Sequence, residues 1–406
     1  MGYIRREKMI NVAVLGYGNI GSGVVDVLET NRELIAKRVG DEVRVKYVLD
    51  LRDFPGDKHE DLLIHDFIQI QTDPDLDIVC ETMGGTGAAY TFTKACLLAR
   101  KNVCTSNKAC VAAYGPELIR IAKENHVNYM FEASVGGGIP IIRAMNECLL
   151  QEKIESITGI VNGTTNYMLT KMAKEGASYE AVLKEAQEKG YAEQDPTADV
   201  EGHDAGRKIA ILSSLMTGKN VDFEDLYCEG ITGITAEDFK YASKLGNSIK
   251  LFARSQDIKG RVLAMVAPYM ITDTHPMFGV NDVFNAVLVH GNCLDDAMFY
   301  GRGAGKLPTA SAVVADVIEC AKNLRTTLNV EWSAEKAELA DVSEAIGNYF
   351  VRLKEGSDVS AFGNVPKIDA GVPGEFAIIT NKMTEASYNE KASRTEGIIK
   401  MIRAIV

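Results

Sequence analysis

The sequence predicts an α/β protein: a doubly wound parallel sheet followed by a second, α+β domain. Three observations carry that expectation. Short β-branched runs alternate with helical stretches up to about Pro140. A glycine-rich turn, GYGNIGSG (16–23), follows the first of those runs and opens a helix. Beyond Pro140 the texture changes, with strand-like runs at 154–161 (IESITGIV) and 260–271 (GRVLAMVAPYMI) separated by helices.

Taken in order, NVAVL (11–15) is the first strand, and a helical stretch runs from about Val24 to Val39, with apolar residues at Val24, Val27, Leu28, Leu34 and Ile35. VRVKYVL is the second strand and ends at Asp50; DIVCET (77–82), NVCTS (102–106) and VNYMFEA (127–133) are further strands. In the second domain, AGRKIAILSSLM (205–216) reads as a helix. GRGAGKLPTASAVVADVIECAKN (301–323) offers a glycine loop and an amphipathic helix that returns to the first domain. From about Asn348, NYFVRLK and EFAIIT read as strands, before a helical stretch and a last apolar run, IIKMIRAIV; this tail is a small extra domain or a clasp. The resulting division is 1–142 for the first domain, 143–300 for the second, 301–330 for the returning segment and 345–406 for the tail. Trp332, the single tryptophan, lies in a polar stretch and carries little information.

A chain of 406 residues has room for two or three domains and a sizeable core. Hydrophobic content of 46% and charged content of 25% are ordinary for a soluble globular protein. The net charge of −12 argues against nucleic-acid and anionic-membrane partners, which favour clustered Lys and Arg. The eight cysteines form no CxxC, and no metal pattern joins them to the six histidines. Cys80, Cys96, Cys104 and Cys148 sit in apolar runs and read as buried free thiols, which fits a reducing cytoplasm. The N-terminus has no apolar core of a signal peptide, and Arg6 stands where a myristoylated Gly2 would want Ser or Thr. No apolar run approaches the roughly 18 residues of a membrane span.

Gly16, Gly18 and Gly21 form a GxGxxG between strand and helix, the context in which that motif binds a dinucleotide. Gly16 permits the tight turn, Gly18 lets backbone approach a pyrophosphate, and Gly21 allows close helix–strand packing. Asn19 and Ile20 begin the helix whose N-terminal amides and dipole favour phosphate. Asp50, closing the second strand, would bind a ribose 2′-hydroxyl and favour NAD; Arg52 could instead face the 2′-phosphate of NADP. Both readings stay open. Gly84 and Gly303 complete the candidate cofactor-binding set, together with Lys108.

A nicotinamide cofactor carries hydride, so the protein must position a substrate and manage one proton. Two lysines are suited to that. Lys108, in TSNKA, follows a strand at its C-terminal end, where ligands bind in open α/β sheets. Lys208 lies four residues after Asp204, on one helix face. The Asp204–Lys208 spacing also suits an ordinary helical ion pair. The segment from Gly190 to Lys208 gathers Glu193, Asp195, Asp199, Glu201 and Asp204 ahead of Arg207 and Lys208, a two-signed density more typical of a site than of a packing element.

From about Ile10 to Asn323 the chain resembles the homoserine dehydrogenases. The matching blocks are VLGYGNIGSGV, VCTSNKACVA with EASVGGGIPII, GIVNGTTNYML, and GYAEQDPTADVEGHDAGRK, the most specific of them; GAG-x-x-PTASAVVAD also matches. The resemblance implies reversible NAD(P)-linked conversion of L-aspartate 4-semialdehyde to L-homoserine, on the route to threonine and methionine. It also implies Lys208 as the acid/base residue with Asp204 beside it and Lys108 near the reacting oxygen. Glu193 would hold the substrate ammonium, Asp199 would support that end, and Gly163 and Thr164 would meet the substrate through backbone amides. EASVGGGIP is similar to the family's monovalent-cation loop, in which Glu132, Val135, Gly137 and Ile139 would give oxygens, mostly carbonyls, to a structural sodium ion. The resemblance makes 1–142 the NAD(P)-binding domain and 143–300 the substrate-binding, catalytic and dimerisation domain; family members are usually at least dimers, so a homodimer or tetramer is expected.

The tail resembles a shortened ACT regulatory domain, with YFVRLK and EFAIITNKMTEASYNE in matching order. GSDVSAFGNV stands where a D-x-P-G-V-L motif would start the first ACT helix. Two other readings remain: another amino-acid or aldehyde dehydrogenase on the same plan, or a non-catalytic NAD(P)-binding regulator. Against the regulator stand the intact Lys108, Glu193, Asp199, Asp204 and Lys208.

Overall fold

The structure is a computed structural model that describes residues 9–324 and 326–406; Gly2 and Arg6, on which the N-terminal reading turns, lie outside them. The chain forms two compact units. The first takes Met1–Gln151, Ser214–Asp222 and Arg302–Lys336, and the second takes Glu152–Ser213, Phe223–Gly301 and Ala337–Val406. The first break thus falls after Gln151 rather than at 142, and the tail belongs to the second unit.

In the first unit, β1 (Ile10–Leu15), β2 (Val43–Leu49), β3 (Leu63–Ile64), β4 (Ile78–Glu81), β5 (Asn102–Thr105) and β6 (Tyr129–Met130) make a sheet of order β3-β2-β1-β4-β5-β6. All its pairings are parallel. Strands covered on both faces carry near-continuous apolar runs, and every residue of β1, β4 and β5 is buried. This is the Rossmann arrangement, whose order reverses between β1 and β4 and leaves a crevice at the strands' C-terminal ends. The expected helix from Val24 to Val39 is instead two: α1 (Asn19–Thr30) and α2 (Arg32–Val39), interrupted at Asn31. The glycine turn starts α1 earlier than its apolar face suggests. The run 127–133 gives only the two residues of β6, because Glu132–Ser134 turns as a 3₁₀ helix.

The unit's other helices are α3 (Phe67–Thr72), α4 (Gly87–Leu98), α5 (Lys108–Glu124) and α6 (Ile141–Arg143), with the returning helix Lys306–Lys322. That helix packs on α1 so closely that a Cβ on Gly23 would lie 3.0 Å from the Ala310 Cβ. Two readings are corrected here. Trp332 is buried: its ring lies over Gly115, and its Nε1 donates to Asn220 Oδ1 at 3.1 Å. Cys80, Cys96 and Cys104 are buried, but Cys148 is exposed, because it ends the π-helical turn Ala144–Cys148 just before the exposed Leu150.

The second unit contains β7 (Ile154–Ile160), β8 (Tyr227–Cys228), β9 (Ser248–Ile258), β10 (Arg261–Ile271), β11 (Phe284–Gly291), β12 (Asp295–Arg302), β13 (Ile346–Lys354), β14 (Glu375–Ile379), β15 (Met383–Thr384) and β16 (Ile398–Ile405). Its sheet runs β12-β11-β7-β9-β10-β16-β13-β14. Helices α7 (Gly163–Glu175), α8 (Tyr179–Glu188), α9 (Thr197–Val200), α10 (His203–Thr217) and α11 (Ala236–Leu245) precede the tail; the helix Lys306–Lys322 is α12, and the tail holds α13 (Glu385–Ala392).

The tail is neither a detached domain nor a loose clasp. β16 pairs in parallel with β10, Tyr269 opposite Arg403, so the tail's strands extend the substrate unit's own sheet. Buried ion pairs reinforce the seam: Arg352 of β13 bonds Asp238 of α11 at 2.8 Å, and Arg403 of β16 bonds Glu229 at 2.6 Å. Where the first ACT helix would stand, Ser360–Phe362 makes only a 3₁₀ turn.

Candidate functional site

Gly16 leaves β1 with φ +89°, its N–H donating to the Leu49 carbonyl at 2.8 Å, and Gly18 caps α1. The three glycines have separable jobs. A Cβ on Gly21 would lie 1.8 Å from the Gly16 carbonyl oxygen, so turn and helix close on each other only without it. A Cβ on Gly18 would meet nothing within 4 Å, leaving open space beside the free amides of the helix start. Asn19 and Ile20 are the first helical residues. This cradle fits a dinucleotide pyrophosphate.

Asp50 sits just past β2, and its carboxylate accepts from the Tyr17 N–H at 2.8 Å. The two candidate ribose residues bind one another: Arg52 donates from Nε to Asp50 Oδ1 and from its terminal nitrogen to Oδ2, both at 3.0 Å, and from its backbone N–H to Oδ1. The Arg52 guanidinium, with help from the backbone donors, holds the Asp50 carboxyl down at about 2. Gly84 is exposed in the loop after β4, and Gly303 lies near the start of the returning segment.

Lys108 is the first residue of α5, half-buried at the C-terminal end of β5. A lysine there opposes the helix dipole, which makes helix stability a poor reason for its presence. Two neighbours escaped the sequence reading. Asn107 caps α5 by accepting from Cys110 N–H, and its amide donates to the Met83 and Gly85 carbonyls at 3.3 and 2.6 Å, fixing the loop that carries Gly84. Glu81 is fully buried and accepts from the Thr105 hydroxyl at 2.6 Å and the Met83 N–H at 2.8 Å; burial raises its pKa. The TSNKA block placed Asn107 beside Lys108, but nothing local reveals that its amide spans two strand ends.

In the second unit, Lys208 and Asp204 lie on the buried face of α10, as their spacing requires. Lys208 Nζ donates to Asp204 Oδ2 at 2.7 Å and to the Val161 carbonyl at 2.6 Å. The residue that assembles the rest is Asn162, which caps α7. Its amide donates to Asp199 Oδ1 at 2.7 Å and to Asp204 Oδ2 at 2.9 Å, while its own oxygen accepts from the Thr165 N–H. One side chain thus joins two carboxylates from α9 and α10 to the start of α7. Sequence reasoning quoted Asn162 within GIVNGTTNYML but gave it no role; an Asn before Gly-Thr-Thr at a helix start was the available signal.

Gly163 and Thr164 are the first residues of α7, where backbone amides lack intrahelical acceptors. The Thr164 hydroxyl is engaged: it donates to the Tyr191 carbonyl at 2.6 Å and pins the loop that leads to Glu193. Glu193 itself is exposed, and no hydrogen bond or ion pair joins its carboxylate to the Asn162 cluster among the described residues. Asp195 caps its own turn through Thr197, as a loop residue would.

Glu132, Val135, Gly137 and Ile139 are all buried in one loop, with Gly137 at φ +55° against the Gly303 carbonyl. Both carboxylate oxygens of Glu132 are occupied by the N–H groups of Ile142 and Arg143, at 2.8 and 2.7 Å. Its carbonyl accepts from the Val135 N–H at 3.4 Å. Among the described residues no three His, Cys, Asp or Glu groups cluster to hold a metal, so a cation at this loop would depend on carbonyl oxygens, as sodium tolerates.

Two family models match the chain: "Homoserine dehydrogenase, NAD binding domain" over residues 16–132, and "Homoserine dehydrogenase" over 140–318. The homoserine dehydrogenase of Bacillus subtilis is 38% identical over 94% of this chain and 94% of its own length. That of Synechocystis is 45% identical over 76% of this chain and 72% of its own. Among solved structures, a homoserine dehydrogenase from Thiobacillus denitrificans superposes with a TM-score of 0.88 at 33% identity, covering 98% of both chains. A hyperthermophilic archaeal homoserine dehydrogenase in complex with NADPH matches with a TM-score of 0.66 at 27% identity, over 77% of this chain and 97% of its own.

Proposed function

We propose a division of labour among the residues of this site from the premise that the chain belongs to the homoserine dehydrogenase family. The protein is an NAD(P)-dependent oxidoreductase that interconverts L-aspartate 4-semialdehyde and L-homoserine. The observation that carries the assignment of roles is the Asn162–Asp199–Asp204–Lys208 cluster, with one buried ammonium held by a carboxylate and a carbonyl.

In this reading Lys208 donates a proton to the aldehyde oxygen during reduction and takes it back from the alcohol in the reverse direction. The bound nicotinamide supplies or accepts the hydride. Asp204 fixes the Lys208 ammonium, and Asn162 fixes Asp204, so the acid arrives oriented. The Gly163 and Thr164 amides take the substrate carboxylate, Asp199 supports that end, and Glu193 swings in from its exposed loop to meet the ammonium. The assignment of Lys108 to the reacting oxygen, and of the Glu132–Ile139 loop to a structural sodium, rests on family resemblance. So do a homodimeric or tetrameric state and a cytoplasmic location. No helix among the described residues is long and apolar enough to cross a membrane.

Absorbance of NADPH and NADH followed separately with aspartate semialdehyde tests the activity; no consumption of either would overturn it. The Asp50–Arg52 pair puts both charges at the ribose end of the cradle, so cofactor preference turns on which faces the ribose. Asp50→Ala is expected to weaken NADH use more than NADPH use, and the opposite shift in kcat/KM would reject Asp50 as the ribose ligand. Asn162→Ser keeps a helix-capping oxygen but loses the amide donor. Two hydrogen bonds to carboxylates are lost: that to Asp204 is expected to lower kcat by about 10-fold, and that to Asp199 to raise KM. A wild-type kcat would remove Asn162 from its positioning role.

A further inference from the structure

A groove of about 300 Å³ crosses one face of the second unit's sheet where the tail joins it, lined by β9, β10, β16 and the start of β13. It is built from residues that the reaction does not use. Its wall carries two cations, Arg254 and Lys382, and no carboxylate pairs with either among the described residues. Arg254 is half-buried on the groove wall, and its guanidinium lies over the Tyr269 ring at 5.2 Å, which fixes the cation beside the ring that bears the Tyr269 hydroxyl.

The wall's other charged side chains, Arg403 and Glu385, pair with each other. Arg403 is bonded by Glu385 through two nitrogens, at 2.9 and 2.6 Å, and by Glu229 at 2.6 Å. Two buried phenols are left with weak partners. The Tyr269 hydroxyl reaches the Met265 sulfur at 3.5 Å, and the Tyr349 hydroxyl reaches the Ala345 carbonyl at 3.4 Å. Thioethers are poor acceptors, and a buried hydroxyl this loosely satisfied calls for another partner. The groove therefore presents two cations and two loosely bonded hydroxyls, and its lining carboxylate, Glu385, is taken up by Arg403.

We propose that this groove binds a small molecule bearing an oxyanion group, a carboxylate or a phosphate, held by Arg254, Lys382 and the hydroxyls of Tyr269 and Tyr349. Arginine's planar fork matches either group. An occupant braces β9 and β10 against β16 and β13, and it sits one strand from β7, since Arg254 lies opposite Thr158. The proposal stands apart from the reaction site and does not depend on the roles assigned there.

The test is isothermal titration of the full chain with succinate and, separately, with inorganic phosphate at constant ionic strength. L-Homoserine with NADPH, a dead-end pair, is kept in excess so that the substrate and cofactor sites are filled. Saturable one-to-one binding of succinate assigns a carboxylate ligand, and of phosphate a phosphate ligand. Arg254→Gln is expected to weaken that binding at least tenfold, and Tyr269→Phe, which keeps the ring, a few-fold, both with kcat near wild type. Absence of saturable binding by both probes, or equal affinity in wild type and both variants, overturns the site.

Discussion

Lys208→Ala is expected to lower kcat by about 10³-fold, the scale of a lost general acid/base group. The expectation rests on where the ammonium is held. Buried, donating to Asp204 at 2.7 Å and to the Val161 carbonyl at 2.6 Å, Lys208 is costly to leave charged unless those acceptors orient it. The alanine variant removes the ammonium from the buried Asp204 carboxylate, which by itself destabilises by about 3–5 kcal/mol. Activity must therefore be read on protein shown to be folded by circular dichroism. Lys208→Gln, one atom shorter but still a hydrogen-bond donor with no transferable proton, separates the two effects. It should recover melting temperature without recovering kcat. A variant that recovers both, or an alanine variant within tenfold of wild type, would strip Lys208 of the proton-transfer role.

The second large effect is expected at Gly21. Its Cβ would sit 1.8 Å from the Gly16 carbonyl oxygen and 2.8 Å from the Thr82 hydroxyl, and the first of those is backbone that cannot swing aside. Gly21→Ala should force turn and helix apart, costing about 1–3 kcal/mol or more as overpacking and weakening cofactor binding by two orders of magnitude. Gly18→Ala gives the contrast. Gly18 has φ −80° and open space around its Cβ position, so the variant should melt like wild type yet bind cofactor poorly, because the methyl occupies the pyrophosphate's approach. Thermal unfolding and NADPH fluorescence titration read the two properties separately. A wild-type melting temperature and affinity in Gly21→Ala would refute the close packing.

The nucleotide unit was legible because its signals are local. β1, β4 and β5 are short runs buried along their whole length, and the glycine spacing reflects a backbone contact within six residues. The substrate unit was less so. β9, β11 and β12 were not singled out, since strands in an antiparallel sheet mix polar and apolar residues; β12 is exposed or half-exposed along its whole length. Helix boundaries at Asn31 and the 3₁₀ turn at Glu132 were hidden because continuous apolar patterning does not reveal where backbone capping breaks it. Cys148 read as buried for the same reason: hydrophobic neighbours in sequence are not neighbours on a face.

The sequence by itself determined the parallel nucleotide-binding sheet, the pyrophosphate turn and the Asp204–Lys208 pair, because each depends on residues a few positions apart. Tertiary structure alone decided that Asn162 gathers Asp199 and Asp204 into one buried network, and that the tail becomes part of the substrate unit's sheet. Those facts depend on which strand ends and helix starts meet after long chain separations. Hydrogen bonds of that kind form where backbone geometry delivers donor to acceptor, and no local spacing records it.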